Sequence, residues 1–183
     1  WEESAHNASD TEPFRHWDED EPAEVGASCA KCHSSQGYMD FLGADGSEAG
    51  VVDAAVPAAD VHGIECVACH NEVTMDKTEV TFPSGVTVEA GDDSRCMECH
   101  QGRESKVSLD ERIAVFGEDL DPDAVPEAVD EQTLGFANIH YYPAAATLYG
   151  GVAMGGYQFD GKTYDGKFRH VEGIDSCTGC HDP

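Results

Sequence analysis

All eight cysteines of the chain fall into four Cys-x-x-Cys pairs, and a histidine directly follows each pair. The motifs are Cys29-Ala30-Lys31-Cys32-His33, Cys66-Val67-Ala68-Cys69-His70, Cys96-Met97-Glu98-Cys99-His100 and Cys177-Thr178-Gly179-Cys180-His181. This is the pattern of c-type haem attachment, in which both thiols form thioethers with the porphyrin and the adjacent histidine binds the iron. The sequence therefore predicts four covalently attached c-type haems, whose proximal iron ligands are His33, His70, His100 and His181.

The competing uses of paired cysteines fit this sequence less well. Zinc sites also use Cys-x-x-Cys pairs, but zinc does not require a histidine directly after every pair. Thioredoxin-like redox chemistry predicts one such pair rather than four. Structural disulfides need no such regular pairing, and no cysteine is left over to form one.

The histidine count allows a second axial ligand for every haem. Of the nine histidines, five lie outside the motifs and are candidate distal ligands: His6, His16, His62, His140 and His170. His62 lies just before Cys66, so it is poorly placed to reach the far face of the haem on that motif and is predicted to bind a neighbouring haem. His140 and His170 lie in the cysteine-free stretch between the third and fourth motifs. For each of the five taken alone, an ordinary surface or core histidine remains the alternative.

Methionine is the other common axial ligand of c-type haems. Met97 lies inside a motif, and Met39, Met75 and Met154 are better explained as packing residues. We therefore expect two histidines on every iron and low reduction potentials. A six-coordinate iron has no open position for a substrate, which favours electron transfer over catalysis, whereas a multihaem reductase would need one open haem.

The charge of the chain excludes some partners. There are 37 Asp and Glu residues against 10 Lys and Arg, which gives a formal net charge of -27. Such a chain is not expected to bind nucleic acid or anionic lipid by charge attraction. Its self-repulsion can be offset by a well-solvated surface, by high salt, or by bound cations such as Ca2+.

The rest of the sequence predicts a mostly irregular chain with short α-helices and one small β-hairpin, wrapped around a chain of four haems. The 19 glycines and 8 prolines favour loops. Alternating Val, Thr and Phe on both sides of a Pro-Ser-Gly turn predict the hairpin over Thr78–Glu89. Ser108–Glu111 resembles a capping box that starts a helix ending near Gly117, and Pro143 is expected to open another helix before Gly150.

Two parts of the chain are expected: residues 1–27 as an acidic N-terminal arm that could reach a neighbouring subunit, and residues 28–183 as the tetrahaem domain. No stretch is long and apolar enough to be a transmembrane segment. The chain starts at Trp1, without Met or a basic leader, and is interpreted as a mature secreted product. Asn7-Ala8-Ser9 is a glycosylation sequon, although such triplets are frequent by chance.

Several segments carry a resemblance to a known family, and together they span most of the chain. They are FRHWDED, SCAKCHSSQGYMDFLGADG, HGIECVACHN, NIHYYPAAATLYGG and CTGCHDP. These segments resemble the extracellular tetrahaem cytochromes that polymerise into filaments, often called cytochrome nanowires.

The resemblance implies a function and a set of ligands. In that family the haems form a continuous chain, one subunit donates a distal histidine to a haem of the next, and electrons pass to extracellular acceptors or redox partner cytochromes. It implies that His62, His140, His170 and an N-terminal histidine are distal ligands, with His6 or His16 donated to the neighbouring copy. The alternative is a soluble periplasmic shuttle with all distal ligands from its own chain, and a reductase is a third reading.

Overall fold

The computed structural model describes residues 1–117, 126–129, 133–168, 171–174 and 176–181. Contacts divide the chain into two units. The first unit contains Trp1–Thr78, Ala90–Cys99 and Ser176–Pro183, and the second contains Glu79–Glu89 and His100–Asp175. All eight cysteines belong to the first unit.

Short helices, short strands and loops make up the described residues. The α-helices are α1 (Glu12–Arg15), α2 (Ala27–His33), α3 (Ser35–Leu42), α4 (Cys66–Cys69), α5 (Glu72–Met75), α6 (Ser94–His100), α7 (Lys106–Ala114), α8 (Ala144–Leu148) and α9 (Gly150–Ala153). Turns of 3-10 helix cover Ala58–Asp60, Gly91–Asp93 and Cys177–Gly179, and the strands are β1 (Glu24–Val25), β2 (Val56–Pro57), β3 (Glu79–Thr81) and β4 (Thr87–Glu89). The prediction of short helices, loops and a small β-hairpin is confirmed, while the wrapping around haems stays a prediction.

A small apolar cluster in the first unit joins the N-terminal residues to the rest of that unit. Phe14, Val25, Ala30, Val56 and Val61 are buried together. The antiparallel pair of β1 and β2 sets Val25 opposite Val56, so both side chains enter this cluster. The cluster therefore contains residues from both sides of the predicted boundary between the arm, residues 1–27, and the rest of the chain.

Hydrogen bonds also hold the arm, residues 1–27, against its own chain. The indole nitrogen of Trp1 donates to the carbonyl of Ile64 at 2.9 Å, and the amide of Ile64 donates to the carbonyl of His6 at 2.8 Å. The guanidinium of Arg15 donates to the carbonyls of Ala58 and Val61. In this structure the arm is thus a packed part of the first unit.

Helices α2 and α3 meet at a glycine. Ser34 ends α2 and caps α3, because its Oγ accepts the amide of Gly37 at 2.9 Å. A Cβ atom at Gly37 would lie 2.4 Å from the backbone carbon and oxygen of Ala30. Only glycine permits this close approach of α3 to the helix that carries the first motif.

In the second unit, the hairpin and the following helices confirm the predicted elements with shifted boundaries. Strands β3 and β4 pair Thr81 with Thr87. The predicted capping box of Ser108 with Glu111 is wrong, because Ser108 lies inside α7. The box is formed by Ser105 at the N-cap, whose Oγ accepts the amide of Ser108 at 3.2 Å while the Ser108 hydroxyl accepts the amide of Ser105. Two serines three positions apart satisfy the amides as well as Ser and Glu would, so α7 begins earlier than expected.

Replacement of Gly37 by alanine should destabilise the protein. The clash with the Ala30 backbone outweighs the better helix propensity of alanine, and overpacking of this kind costs about 1–3 kcal/mol. Guanidinium unfolding of the purified protein measures the difference. Gly156→Ala is the control, because nothing lies within 4 Å of a Cβ there. Equal unfolding free energies for the two variants would contradict the close approach.

Candidate functional site

Each of the four motifs forms one helical turn that ends at its histidine. Helices α2 and α6 end at His33 and His100. In the second motif the amide of His70 donates to the carbonyl of Cys66 at 2.8 Å, and in the fourth the amide of His181 donates to Cys177 at 2.9 Å. Residues three apart on a helix share a face, so the turn brings both thiols of a motif to one side.

Main-chain carbonyls orient two of the four candidate proximal histidines. The Nδ1 atom of His33 lies 2.7 Å from the carbonyl oxygen of Pro13, and Nδ1 of His100 lies 3.1 Å from that of Tyr142. A carbonyl oxygen can only accept, so the Nδ1 atom of each ring is the donor. Metal-binding histidines have this arrangement, with one ring nitrogen donating to a carbonyl and the other bound to the metal.

An aromatic ring further restrains His33. The ring of Trp17 lies edge-on to it, with centroids 5.2 Å apart and an interplanar angle of 67°. Together with the carbonyl of Pro13, this contact fixes the tilt of the imidazole. The residues of the first and third motifs therefore fit an iron-bound haem, since both the thiols and a correctly protonated imidazole are in place.

The cysteines of different motifs approach one another in the first unit. The thiol of Cys99 donates to the carbonyl of Lys31 at 3.7 Å, so the third and first motifs touch. Both carboxylate oxygens of Asp93 accept the amide of Cys177, at 2.9 and 3.0 Å, which joins the fourth motif to the turn that precedes α6. The third motif thus contacts the first directly and the fourth through Asp93.

All eight cysteines lie among the described residues and are present as thiols without disulfide bonds. Burial raises the pKa of Cys69 and of Cys96. Burial, and then the Asp93 carboxylate, raise the pKa of Cys177 to about 11. The neighbouring Cys32 sulfur, and then burial, raise the pKa of Cys99 as well. Burial is thus a shared cause of the raised pKa of these four cysteines.

Of the three candidate distal histidines in the first unit, His16 and His62 are exposed and His6 is half-buried. His16 has a side chain that is 62% exposed, and its Nδ1 lies 2.7 Å from Glu12. His62 is exposed and lines a pocket of about 450 Å³. The carbonyl of His6 would lie 2.3 Å from a Cβ at Gly63, so the backbone of His6 runs directly beside that of the His62 segment. The sequence separates these two histidines, but the fold brings their segments together.

His140 lies in a strained turn of the second unit. Its φ is 85° and that of Tyr142 is 52°, a region that residues other than glycine rarely adopt and that is often found at functional sites. The side chain of Asn138 stabilises the turn by accepting the amide of His140 at 2.9 Å. The same turn supplies the Tyr142 carbonyl that orients His100, so it serves one candidate proximal and one candidate distal ligand. His170 lies outside the described residues.

Sequence reasoning missed several residues that position the motifs. Pro13 and Tyr142 act through main-chain carbonyls, which leave no mark in the side-chain pattern. Asp93 could have been suspected, because an acidic residue comes just before the third motif, but its partner Cys177 could not. Among the residues that the structure describes, no group of three or more His, Cys, Asp or Glu side chains could hold a metal ion by itself, and no helix is long and apolar enough to cross a membrane.

No protein-family model, curated protein or solved structure matches the chain. The resemblance to filament-forming tetrahaem cytochromes therefore rests on the sequence segments alone and stays a prediction. The structure contributes the geometry of the motifs and of the groups that orient them.

Strain at His140 can be measured by comparing two substitutions. His140→Ala and His140→Gly both remove the imidazole, but only glycine tolerates a φ of 85°. We expect the glycine variant to be more stable than the alanine variant by about 1 kcal/mol, measured by guanidinium unfolding. At His62, which does not have a positive φ, the same pair should show the opposite order. An alanine variant more stable than glycine at His140 would show that the turn is not strained.

Proposed function

We propose that the chain is an electron carrier with four covalently attached c-type haems, one on each Cys-x-x-Cys-His motif. The single observation that carries the proposal is the hydrogen bonding of His33 and His100. Their Nδ1 atoms face main-chain carbonyl oxygens at 2.7 and 3.1 Å. An ordinary surface histidine has no need of a fixed tautomer, whereas an iron ligand does.

The chain's own residues provide attachment and orientation. When bound, the haems supply reversible one-electron transfer. The thiols of each helical turn would anchor one porphyrin edge, and in the first and third motifs a main-chain carbonyl would hold the adjacent histidine at a set angle. Close approaches between motifs, such as that of the Cys99 sulfur to the carbonyl of Lys31 and that of the Cys177 amide to Asp93, keep the attachment points close. Short distances between haems favour passage of electrons along the chain.

The candidate distal ligands favour a carrier over an enzyme. With His62, His140, His170 and either His6 or His16 on the remaining axial positions, every iron is six-coordinate. No position is then open for a substrate, so we do not assign a catalytic activity. A reductase with one open haem would require one of these histidines to have another role.

We further propose that copies of the chain polymerise outside the cell into a helical filament with a continuous chain of haems. The exposed His16 supports this step, because an imidazole at the surface of the first unit can reach a neighbouring copy. The partners would be other copies, extracellular electron acceptors and redox partner cytochromes. A filament of subunits with a net charge of -27 needs ligand bonds, interface packing, high salt or cations such as Ca2+ to offset repulsion.

A soluble periplasmic shuttle is the second candidate, and one observation favours it. The arm is packed in its own chain through the pairing of β1 with β2 and the hydrogen bonds between Trp1, His6 and Ile64. A subunit with this arrangement can take all its distal ligands from within. Assembly state therefore separates the two candidates.

Removal of one motif should remove one haem. We expect the intact protein to contain four haems, measured by mass spectrometry and by the spectrum of the pyridine haem complex, with purely low-spin iron. The variant Cys177→Ala/Cys180→Ala should contain three. Thr178→Ala changes the same motif without touching a thiol and should keep four. Zinc in place of iron in the purified protein would refute haem attachment.

Filament formation should depend on an N-terminal histidine. We expect uniform filaments by negative-stain electron microscopy, and a folded monomer after His16→Ala or His6→Ala, because the trans ligand is lost. Glu12→Gln removes the hydrogen-bond partner of His16 but keeps the imidazole, and should still polymerise. If both histidine variants form filaments with only low-spin haem, the arm does not donate a ligand in trans. Dispersed particles of the intact protein at low and at high salt would favour the shuttle.

A further inference from the structure

A buried carboxylate in the third motif holds two lysines. Glu98 has a side chain only 5% exposed, and its two oxygens lie 2.7 Å from Nζ of Lys31 and 3.0 Å from Nζ of Lys77. The lysine side chains are themselves 22% and 17% exposed. All three residues belong to the first unit.

The ion pair connects equivalent positions of two attachment motifs. Lys31 is the second variable residue of the first motif, and Glu98 is the second variable residue of the third. The second and fourth motifs have Ala68 and Gly179 at this position. Opposite charges at the equivalent position therefore distinguish the first and third motifs as a matched pair.

Other contacts of the same two motifs agree with this pairing. The sulfur of Cys99 lies 3.7 Å from the carbonyl oxygen of Lys31. The ammonium of Lys31 also lies over the ring of Phe41, 4.0 Å from its centroid, which restricts where the lysine can point. Helices α2 and α6 are thus in contact at the cysteines that precede their histidines.

The composition of the chain makes this cluster stand out. Lys and Arg together number 10 against 37 acidic residues, and two of these lysines form ion pairs with one buried glutamate. A buried ion pair is a weak source of stability but requires a defined geometry, because an unpaired charge in the interior is costly. The cluster is therefore better explained by what it positions than by the stability it adds.

We propose that Glu98 is a positioning residue that clamps the first and third attachment helices together. The haems of these two motifs are then direct neighbours in the electron path, although the second motif lies between them in the sequence. The inference rests on the proposed function, since it requires both motifs to carry haem.

The experiment starts from the haem-loaded protein, and its first arm is the position of the irons. A cryo-electron microscopy or diffraction map of the intact protein should show the iron bound to His33 nearer to the iron bound to His100 than to the one bound to His70. A shorter distance to the iron on His70 would overturn the inference. A protein without four haems would instead refute the proposed function, so the two failures are distinguishable.

The second arm tests the role of Glu98 with a mild substitution. Glu98→Gln keeps the shape but removes the charge, and should retain four low-spin haems while weakening the paired Soret circular-dichroism bands of neighbouring haems and shifting a reduction potential. Lys31→Met should change the bands in the same direction but less, because Lys77 still pairs with Glu98. The double variant should add nothing to Glu98→Gln, because both changes remove the contact between Lys31 and Glu98.

A matched control separates positioning from a general loss of charge. Glu104 is a largely buried glutamate in the second unit that pairs with Arg112, and Glu104→Gln should leave both the Soret bands and the potentials unchanged. If Glu98→Gln also leaves them unchanged, Glu98 does not position the pair. If the effects of Glu98→Gln and Lys31→Met on the Soret bands and potentials add up in the double variant, the clamp is also contradicted.

Discussion

Hydrogen bonds from a few buried polar side chains hold the attachment motifs in place, and the rest of the structure depends on them. Thr74 donates to the carbonyl of Ala68 inside the second motif at 2.9 Å, and Ser34 donates to Ala30 inside the first at 2.9 Å. Ser94, at the start of α6, donates to Lys77 at 2.8 Å. The apolar cluster around Phe14 and Val25 is small. The directional hydrogen bond of each hydroxyl therefore fixes backbone positions that aliphatic packing would fix in a larger core. Asp93 plays the corresponding part for the fourth motif, through the amide of Cys177.

Two buried contacts between segments use acidic side chains, which are also the most common charged residues of the sequence. Acidic residues dominate the sequence, yet the buried carboxylates of Glu98 and Asp93 each face a donor that belongs to another segment. In the first unit these two carboxylates therefore connect segments that are distant in the sequence.

Local patterns predicted the local structure well. The hairpin with Val80 inside and the helices near Ser108 and Pro143 follow from spacing and turn chemistry, whereas the helical turn of each motif was not predicted. The exact cap of α7 was missed because serine at two positions three apart satisfies the same amides as the expected Ser and Glu pair. Contacts over long sequence distances were beyond prediction. Nothing in a single sequence links Lys31 to Glu98, or His100 to the carbonyl of Tyr142, because such pairs are decided by how segments pack.

The N-terminal residues have a further consequence for any assembly of this chain. Trp1 and His6 are bonded to Ile64, and β1 is paired with β2, all within one copy. A copy that keeps these bonds can extend only a side chain to its neighbour. In a copy that breaks these hydrogen bonds, the whole N-terminal segment can pack on the neighbouring copy. The equivalent segment of a neighbour can then occupy its original position, an exchange called domain swapping. Growth by the second route begins with a slow opening inside each subunit, so its rate would level off at high protein concentration instead of rising in proportion to it.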